Sequence, residues 1–320
     1  MNDLIFISAQ PSSIYFVWQV EVQIHNFKKF DLDKNMHVLV FYRDSDLQDL
    51  DEWKRLQRKY TRVNFFFYKD EGAEIKTYIP VIRPHILKQH FRAFPELSRR
   101  TFFYHDSDII FNYLPNFDNL LLSELCWQSN CSSYLDYSYL KKKEEEGKMP
   151  ENTILNKMAE IGGISIETIQ KYDKHTGGAQ TILKNLDEEF WQNVEDMSLK
   201  IIKAFAYSQG GINKEYFKSE AEGLQSWCAD MWALNFAQWK RGINTDVTSE
   251  LDFSWATESL EIYNKRPIYH NAGVTQASKD EKNLFYKGEW RNRSPIGQDI
   301  LLPAEDTANR KYVEEIMEIK

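Results

Sequence analysis

Along the first third of the chain, two hydrophobic patterns alternate. Short continuous apolar runs at 4–7, 37–42 and 63–68 predict buried strands. Between them lie stretches in which apolar residues recur every three or four positions, which predicts helices over 14–30 and 47–60. Pro11-Ser12-Ser13 opens the first of these. Ser45 or Asp46 is available as an N-cap for the second, where Leu47, Leu50, Trp53 and Leu56 lie three apart. Strand-helix-strand order of this kind predicts βαβ units and a largely parallel sheet, an α/β fold. A further helix over about 80–91 precedes a strand at 101–104. That strand would deliver the residues after it to the carboxyl edge of the sheet, where open α/β sheets bind ligands.

The middle of the chain is less regular. The run Lys141-Lys142-Lys143-Glu144-Glu145-Glu146-Gly147 reads as a solvated surface segment between a nucleotide- and metal-binding half, 1–125, and an acceptor-binding half, 150–320. Beyond it come a strand-like 181–183 and two aromatic helices over about 187–207 and 220–239. The last eighty residues carry single motifs in irregular order and are expected to complete one domain spanning 1–320.

Composition narrows the function classes. A length of 320 residues with 42% apolar content supports a substantial core. The formal charge of −8 (40 minus 48) argues against a chain-wide nucleic-acid clamp while leaving room for a local basic groove. Cys126, Cys131 and Cys228 have no metal-ligand spacing and leave one over if two pair, which suits a reducing compartment. No basic leader and no stretch of eighteen apolar residues occurs, so the expectation is a soluble, cytoplasmic protein without membrane contact.

The most informative chemistry lies at Tyr104-His105-Asp106-Ser107-Asp108-Ile109, two carboxylates one residue apart between an aromatic lead-in and an apolar exit. Hard oxygen ligands suit Mg²⁺ or Mn²⁺, which take one or two protein carboxylates and complete their shell with water and substrate phosphates. An EF-hand is excluded because Ile110 and Phe111 stand where that loop needs a third ligand and a glycine. An Asp-rich turn after a strand is the plainer alternative. His270, directly after a strand-like run and before Asn271-Ala272-Gly273, is a candidate third ligand, since imidazole is acceptable to Mn²⁺.

Asp230 sits among Trp227, Met231 and Leu234, so a helix would bury it on an apolar face. A carboxylate there needs hydrogen bonds, a cation or a proton, which makes it a candidate catalytic or sugar-orienting acid, or else a structural Asp paired with a backbone group or an Arg. Arg83, before Pro84, suits phosphate or a sugar hydroxyl. Gly177 and Gly178 allow close backbone approach, although such a pair is also common in turns. Lys287, Arg291 and Arg293 near Trp290 are cations that could neutralise a departing diphosphate. No Ser-His-Asp order, Gly-x-Ser-x-Gly, Walker loop or His-Glu-x-x-His is present, and those enzyme classes lose support.

These pieces, in order, resemble the hydroxyproline O-arabinosyltransferases and peptidyl-serine α-galactosyltransferases. Tyr15-Phe16-Val17-Trp18-Gln19 is similar to their aromatic Trp-Gln segment, Arg83-Pro84 to their Asn-Arg-Pro, Asp106-Ser107-Asp108 to their metal triplet and Gly177-Gly178 to their later glycine segment. Trp227 to Trp232 resembles their Glu-Met-Tyr helix, His270-Asn271 their His-Tyr, and Gly288-Glu289-Trp290 their Gly-Glu-Trp. The resemblance spans residues 15 to 293. It implies a GT-A (Rossmann-like) single nucleotide-sugar-binding domain with a mixed central sheet, a UDP-sugar donor, Mn²⁺ (or Mg²⁺) and retention of anomeric configuration. Under it, Asp106, Asp108 and His270 would hold the metal. Ala9, Gln10, Trp18, Arg83, Asp106, Ser107, Gly178, Lys287 and Arg293 would contact the donor, and Asp230 would be catalytic.

Ile82, Asp230 and Asn271 depart from that family's Asn, Glu and Tyr, which bears on the sugar and acceptor more than on the fold. Arabinose is the first expectation for the sugar, then galactose or glucose. The acceptor is a hydroxyl on a protein, a glycan or a hydroxymethylated DNA base. A metal-dependent phosphodiesterase or nuclease, and a non-catalytic sugar-binding module, are the rivals from other classes.

Overall fold

The computed structural model describes residues 3–205 and 224–319. Its strands are β1 (Leu4–Pro11), β2 (Met36–Tyr42), β3 (Asn64–Lys69), β4 (Thr101–His105), β5 (Ile109–Phe111), β6 (Cys126–Asn130), β7 (Gly177–Leu183), β8 (Thr245–Val247), β9 (Phe253–Trp255) and β10 (Ile268–His270). The chain forms two compact units, each assembled from separated stretches. One comprises Met1–Asp70, Phe103–Asn119 and Ser249–Lys320; the other comprises Glu71–Phe102 and Leu120–Thr248.

In the first unit the strands run in the order β3-β2-β1-β4, with β1 parallel to β2 and β2 parallel to β3. Seven of the eight residues of β1 are buried, as expected of a parallel strand covered on both faces. The helices Ile14–Lys29 and Leu47–Lys59 follow the predicted periodicity to within two residues. Leu50, Trp53 and Leu56 form the buried stripe of the second, and the Trp53 indole N–H donates to the Ser12 carbonyl at 2.6 Å. A small sheet in the order β5-β10-β9 belongs to the same unit, with β10 antiparallel to β5 and parallel to β9.

The second unit pairs β6 antiparallel with β7 and parallel with β8, so the α/β fold carries mixed pairing. Gly177 and Gly178 lie within β7 rather than in a turn. A Cβ at Gly177 would collide with Gln128 and the Ser129 carbonyl, so the glycine serves the approach of two strands. The helices Ile82–Ala93 and Glu188–Phe205 are joined by a buried cluster in which Glu195 takes His85 Nδ1 at 2.7 Å and Lys88 Nζ at 2.6 Å. Of the two aromatic helices expected, Glu188–Phe205 and Ala229–Lys240 are described; residues 206, 207 and 220–223 of the expected spans lie outside the described residues.

Within the Lys/Glu run, where Lys142, Glu145 and Glu146 are exposed as expected, Glu144 is a correction. Residues 141–146 end the helix Tyr137–Glu146, and Glu144 is only 3% exposed. Its carboxylate accepts from the backbone N–H groups of Asn152, Ile154 and Leu155 at 3.1, 2.8 and 3.0 Å, satisfying orphan donors where the helix Thr153–Gly162 begins. A charge run reads as solvated from sequence, whereas here one of its carboxylates caps a neighbouring helix.

His105, at the end of β4, is fully buried between the rings of Phe27 and Phe103. Desolvation depresses its pKa from 6.5 to about 4. The unfolded chain therefore takes up a proton between those values that the folded chain refuses, so stability is complete above pH 6.5 and falls toward pH 4. The expected contribution of this one group is about 3 kcal/mol. Urea unfolding of the wild type and of His105→Gln at pH 7 and pH 4.5 should show a smaller pH-dependent loss in the variant. Equal losses would remove His105 as their source.

Candidate functional site

Asp106 and Asp108 follow directly from β4, and Asp108 precedes the first residue of β5. Antiparallel pairing sets Ile109 opposite His270, and the backbone N–H of Asn271 donates to the Asp108 carbonyl at 2.9 Å. This register brings the imidazole beside both carboxylates. His270 Nε2 lies 3.2 Å from Asp108 Oδ1 and 3.5 Å from Asp106 Oδ2, and one ligand atom from each residue falls within 4.8 Å of the others. The ring is held by Trp255, stacked at 5.6 Å, and by Phe253 at 5.4 Å, both from β9. The sequence offered no direct signal for these two supports beyond the alternation Phe253-Ser254-Trp255.

Asp108 is buried, and Lys287 Nζ donates to its Oδ2. Burial works against the charged carboxylate, but the Lys287 ammonium and then His270 outweigh it and hold Asp108 well below the usual carboxylate range. For Lys287, burial opposes the charge, and the Asp108 carboxylate overrides it, so the net shift is upward. Two carboxylate-bearing residues and one imidazole nitrogen converging at this spacing form a donor set that suits a hard or borderline divalent cation. His270 Nδ1 is buried without a hydrogen-bond partner among the described residues. No group among the described residues therefore fixes its tautomer from Nδ1, and Nε2 can serve as donor to Asp108 or as a lone-pair ligand.

Other residues expected at a donor site fall into four situations in this unit. Ala9 and Gln10 are buried at the carboxyl end of β1; Gln10 Nε2 donates to the Leu39 carbonyl at 2.7 Å, and Oε1 has no partner among the described residues. Ser107 is buried in the turn between the two aspartates. Trp18 is a correction: it is fully buried, and its indole N–H donates to the Trp290 carbonyl at 3.0 Å, so it packs the core and offers no surface to a ligand. Arg293 is exposed and lays its guanidinium over the Trp290 ring at 4.6 Å.

In the second unit, Asp230 occupies the first turn of the helix Ala229–Lys240, where a negative charge is favoured. It is buried, yet Trp227 is 55% exposed, so that indole does not supply the apolar cover expected of it. Instead Asp230 is partnered. Arg83 Nη2 pairs with Oδ2, the Tyr78 hydroxyl lies 2.8 Å from Oδ1, and the Asp230 backbone N–H donates to the Tyr78 oxygen at 3.3 Å. Two residues singled out separately in the sequence, Arg83 and Asp230, thus meet in an ion pair. Tyr78 is the member that sequence reasoning missed, and nothing in its neighbourhood marks it. Its hydroxyl pKa is pushed well above the usual value, first by burial and then by the Asp230 charge. Gly178 faces Met231: a Cβ there would strike the end of that side chain, so the missing side chain makes room for a neighbour in the protein.

Removing Arg83 takes a cation from a buried carboxylate. Arg83→Met should cost about 2 kcal/mol of stability, and Arg83→Met with Asp230→Asn should recover most of it. Chemical denaturation of the two variants decides this; a double variant no more stable than the single would mean that the pair is not what the carboxylate depends on.

No family model and no curated protein matches this chain. Among solved structures, the galactosyltransferase LgtC in complex with donor and acceptor sugar analogs is similar at 11% identity and a TM-score of 0.46, over 97% of this chain and 94% of that one. Mouse xyloside xylosyltransferase 1, in its apo form, is similar at 9% identity and a TM-score of 0.39, over 84% and 96%. The mannosyltransferase PcManGT from Pyrobaculum calidifontis, in complex with GDP-Man and Mn²⁺, is similar at 10% identity and a TM-score of 0.30, over 74% and 73%.

Proposed function

We propose that this chain is a metal-dependent GT-A glycosyltransferase that moves a sugar from a UDP-sugar to an acceptor hydroxyl with retention of configuration. The observation that carries the reading is the convergence of Asp106, Asp108 and His270 beyond the end of β4. Residues from two distant stretches meet there as a hard-ligand set, at the strand edge where α/β folds take nucleotides. Asp106, Asp108 and His270 would hold Mn²⁺ or Mg²⁺, which when bound neutralises charge on a departing diphosphate.

The chain's own residues supply the rest. Asp108 is held ionised by Lys287 and His270, which keeps it ready as an anionic ligand. Lys287 contributes an ammonium next to the carboxylates that would pair with a phosphate oxygen. Ala9, Gln10 and Ser107 are assigned to the nucleotide. Trp18 is not, because it is enclosed in the core. Asp230 is assigned to the sugar or the reacting face; its pairing with Arg83 and Tyr78 also supports a second, structural reading for that residue. Arabinose, then galactose or glucose, remains the order of sugars on the family resemblance. The acceptor hydroxyl belongs to a protein, a glycan or a hydroxymethylated base.

Incubation with UDP-arabinose, UDP-galactose and UDP-glucose, with and without Mn²⁺, should release UDP from one donor in a metal-dependent way. Asp108→Asn should lower that release by at least about 100-fold while its near-ultraviolet circular dichroism stays native. Absence of UDP binding in the presence of Mn²⁺, measured by calorimetry, would overturn the reading.

A further inference from the structure

Asp108 shares its two oxygens between two partners. Oδ1 faces His270 Nε2 at 3.2 Å, and Oδ2 accepts from the Lys287 ammonium, although the two residues lie 179 positions apart. A divalent cation recruited by this carboxylate meets a positive charge already bonded to it. Like charges next to one buried carboxylate repel strongly, because little water is present to screen them.

The backbone that carries Lys287 is anchored on both sides. Residues Lys287–Trp290 form a short 3-10 turn; Trp290 is buried and its carbonyl takes the Trp18 indole N–H. On the other side of Lys287, Phe285 is buried and its backbone N–H donates to Asn309 Oδ1 at 2.5 Å. From this anchored backbone a flexible four-carbon stem reaches Asp108, and the side chain keeps 25% of its surface exposed. The ammonium can therefore leave Asp108 by rotation of its own stem, without moving the turn.

We propose that Lys287 is a resident counter-cation that occupies Asp108 in the ligand-free protein and is withdrawn by a nucleoside diphosphate, so that metal and diphosphate binding depend on each other. This rests on the metal-site reading given above. Linkage makes the dependence reciprocal: diphosphate raises the metal affinity by the same factor by which the metal raises the diphosphate affinity. A lysine that served only to grip phosphate would leave the affinity for metal alone unaffected by its removal. A lysine that served only to shape the site would weaken that affinity when removed.

The test needs no turnover. Free Mn²⁺ is followed by electron paramagnetic resonance while the full chain is titrated, with and without UDP, at one fixed pH. The proteins are wild type, Lys287→Gln, Lys287→Arg and Asp108→Asn. Lys287→Gln should bind Mn²⁺ alone about tenfold more tightly than wild type, whereas Lys287→Arg, which keeps the charge, should stay near wild type. UDP should tighten Mn²⁺ binding by a factor about tenfold larger in wild type than in Lys287→Gln, where only the direct attraction between ion and diphosphate remains. Equal or weaker Mn²⁺ binding by natively folded Lys287→Gln, with the effect of UDP unchanged, would overturn the counter-cation and leave the metal site standing. Mn²⁺ binding that is absent from wild type, or indifferent to Asp108→Asn, would remove the metal-site reading and this inference together.

Discussion

The arrangement around Asp108 follows from one constraint: a carboxylate withdrawn from water needs compensating charge and hydrogen bonds. Burial alone would favour its protonated form, yet Lys287 and His270 keep it ionised. To supply those partners, the first unit brings residues near 108, 270 and 287 to one place. Antiparallel pairing of β5 with β10 sets the first two, and the turn Lys287–Trp290 sets the third. The rings of Phe253 and Trp255 pack against the imidazole and hold its plane.

The second unit resolves the same problem without a candidate metal set among its described residues. Asp230 gains Arg83 and Tyr78, while Glu195 gains His85 and Lys88. The two carboxylates sit on different helices, Ala229–Lys240 and Glu188–Phe205, and each is answered from the helix Ile82–Ala93, by Arg83 in one case and by His85 and Lys88 in the other, which makes them part of how these helices are held together. That pairing is why burial of an acid in a sequence pattern points to chemistry only in part: a carboxylate satisfied by an arginine is also a structural element.

Several residues show where legibility stopped. Trp18 falls in a sequence segment similar to one found in glycosyltransferases, but its indole is enclosed and bonded to Trp290. Glu144 sits in a run of charges and is nonetheless a buried helix cap. Gly178 reads as room for a ligand and in the fold makes room for Met231. In each case a residue type advertises a capability, and the choice among its uses is made by whatever packs against it.

The sequence by itself determined the strands and helices of the first third and the placement of two aspartates just beyond a strand. Those features depend on residues a few positions apart, where hydrophobic period and turn chemistry act directly. Only the tertiary structure decided that His270 and Lys287 would meet Asp108, that Tyr78 and Arg83 would meet Asp230, and that Trp18 would be core. Such meetings depend on strand register and on the packing of distant segments, which local periodicity does not encode.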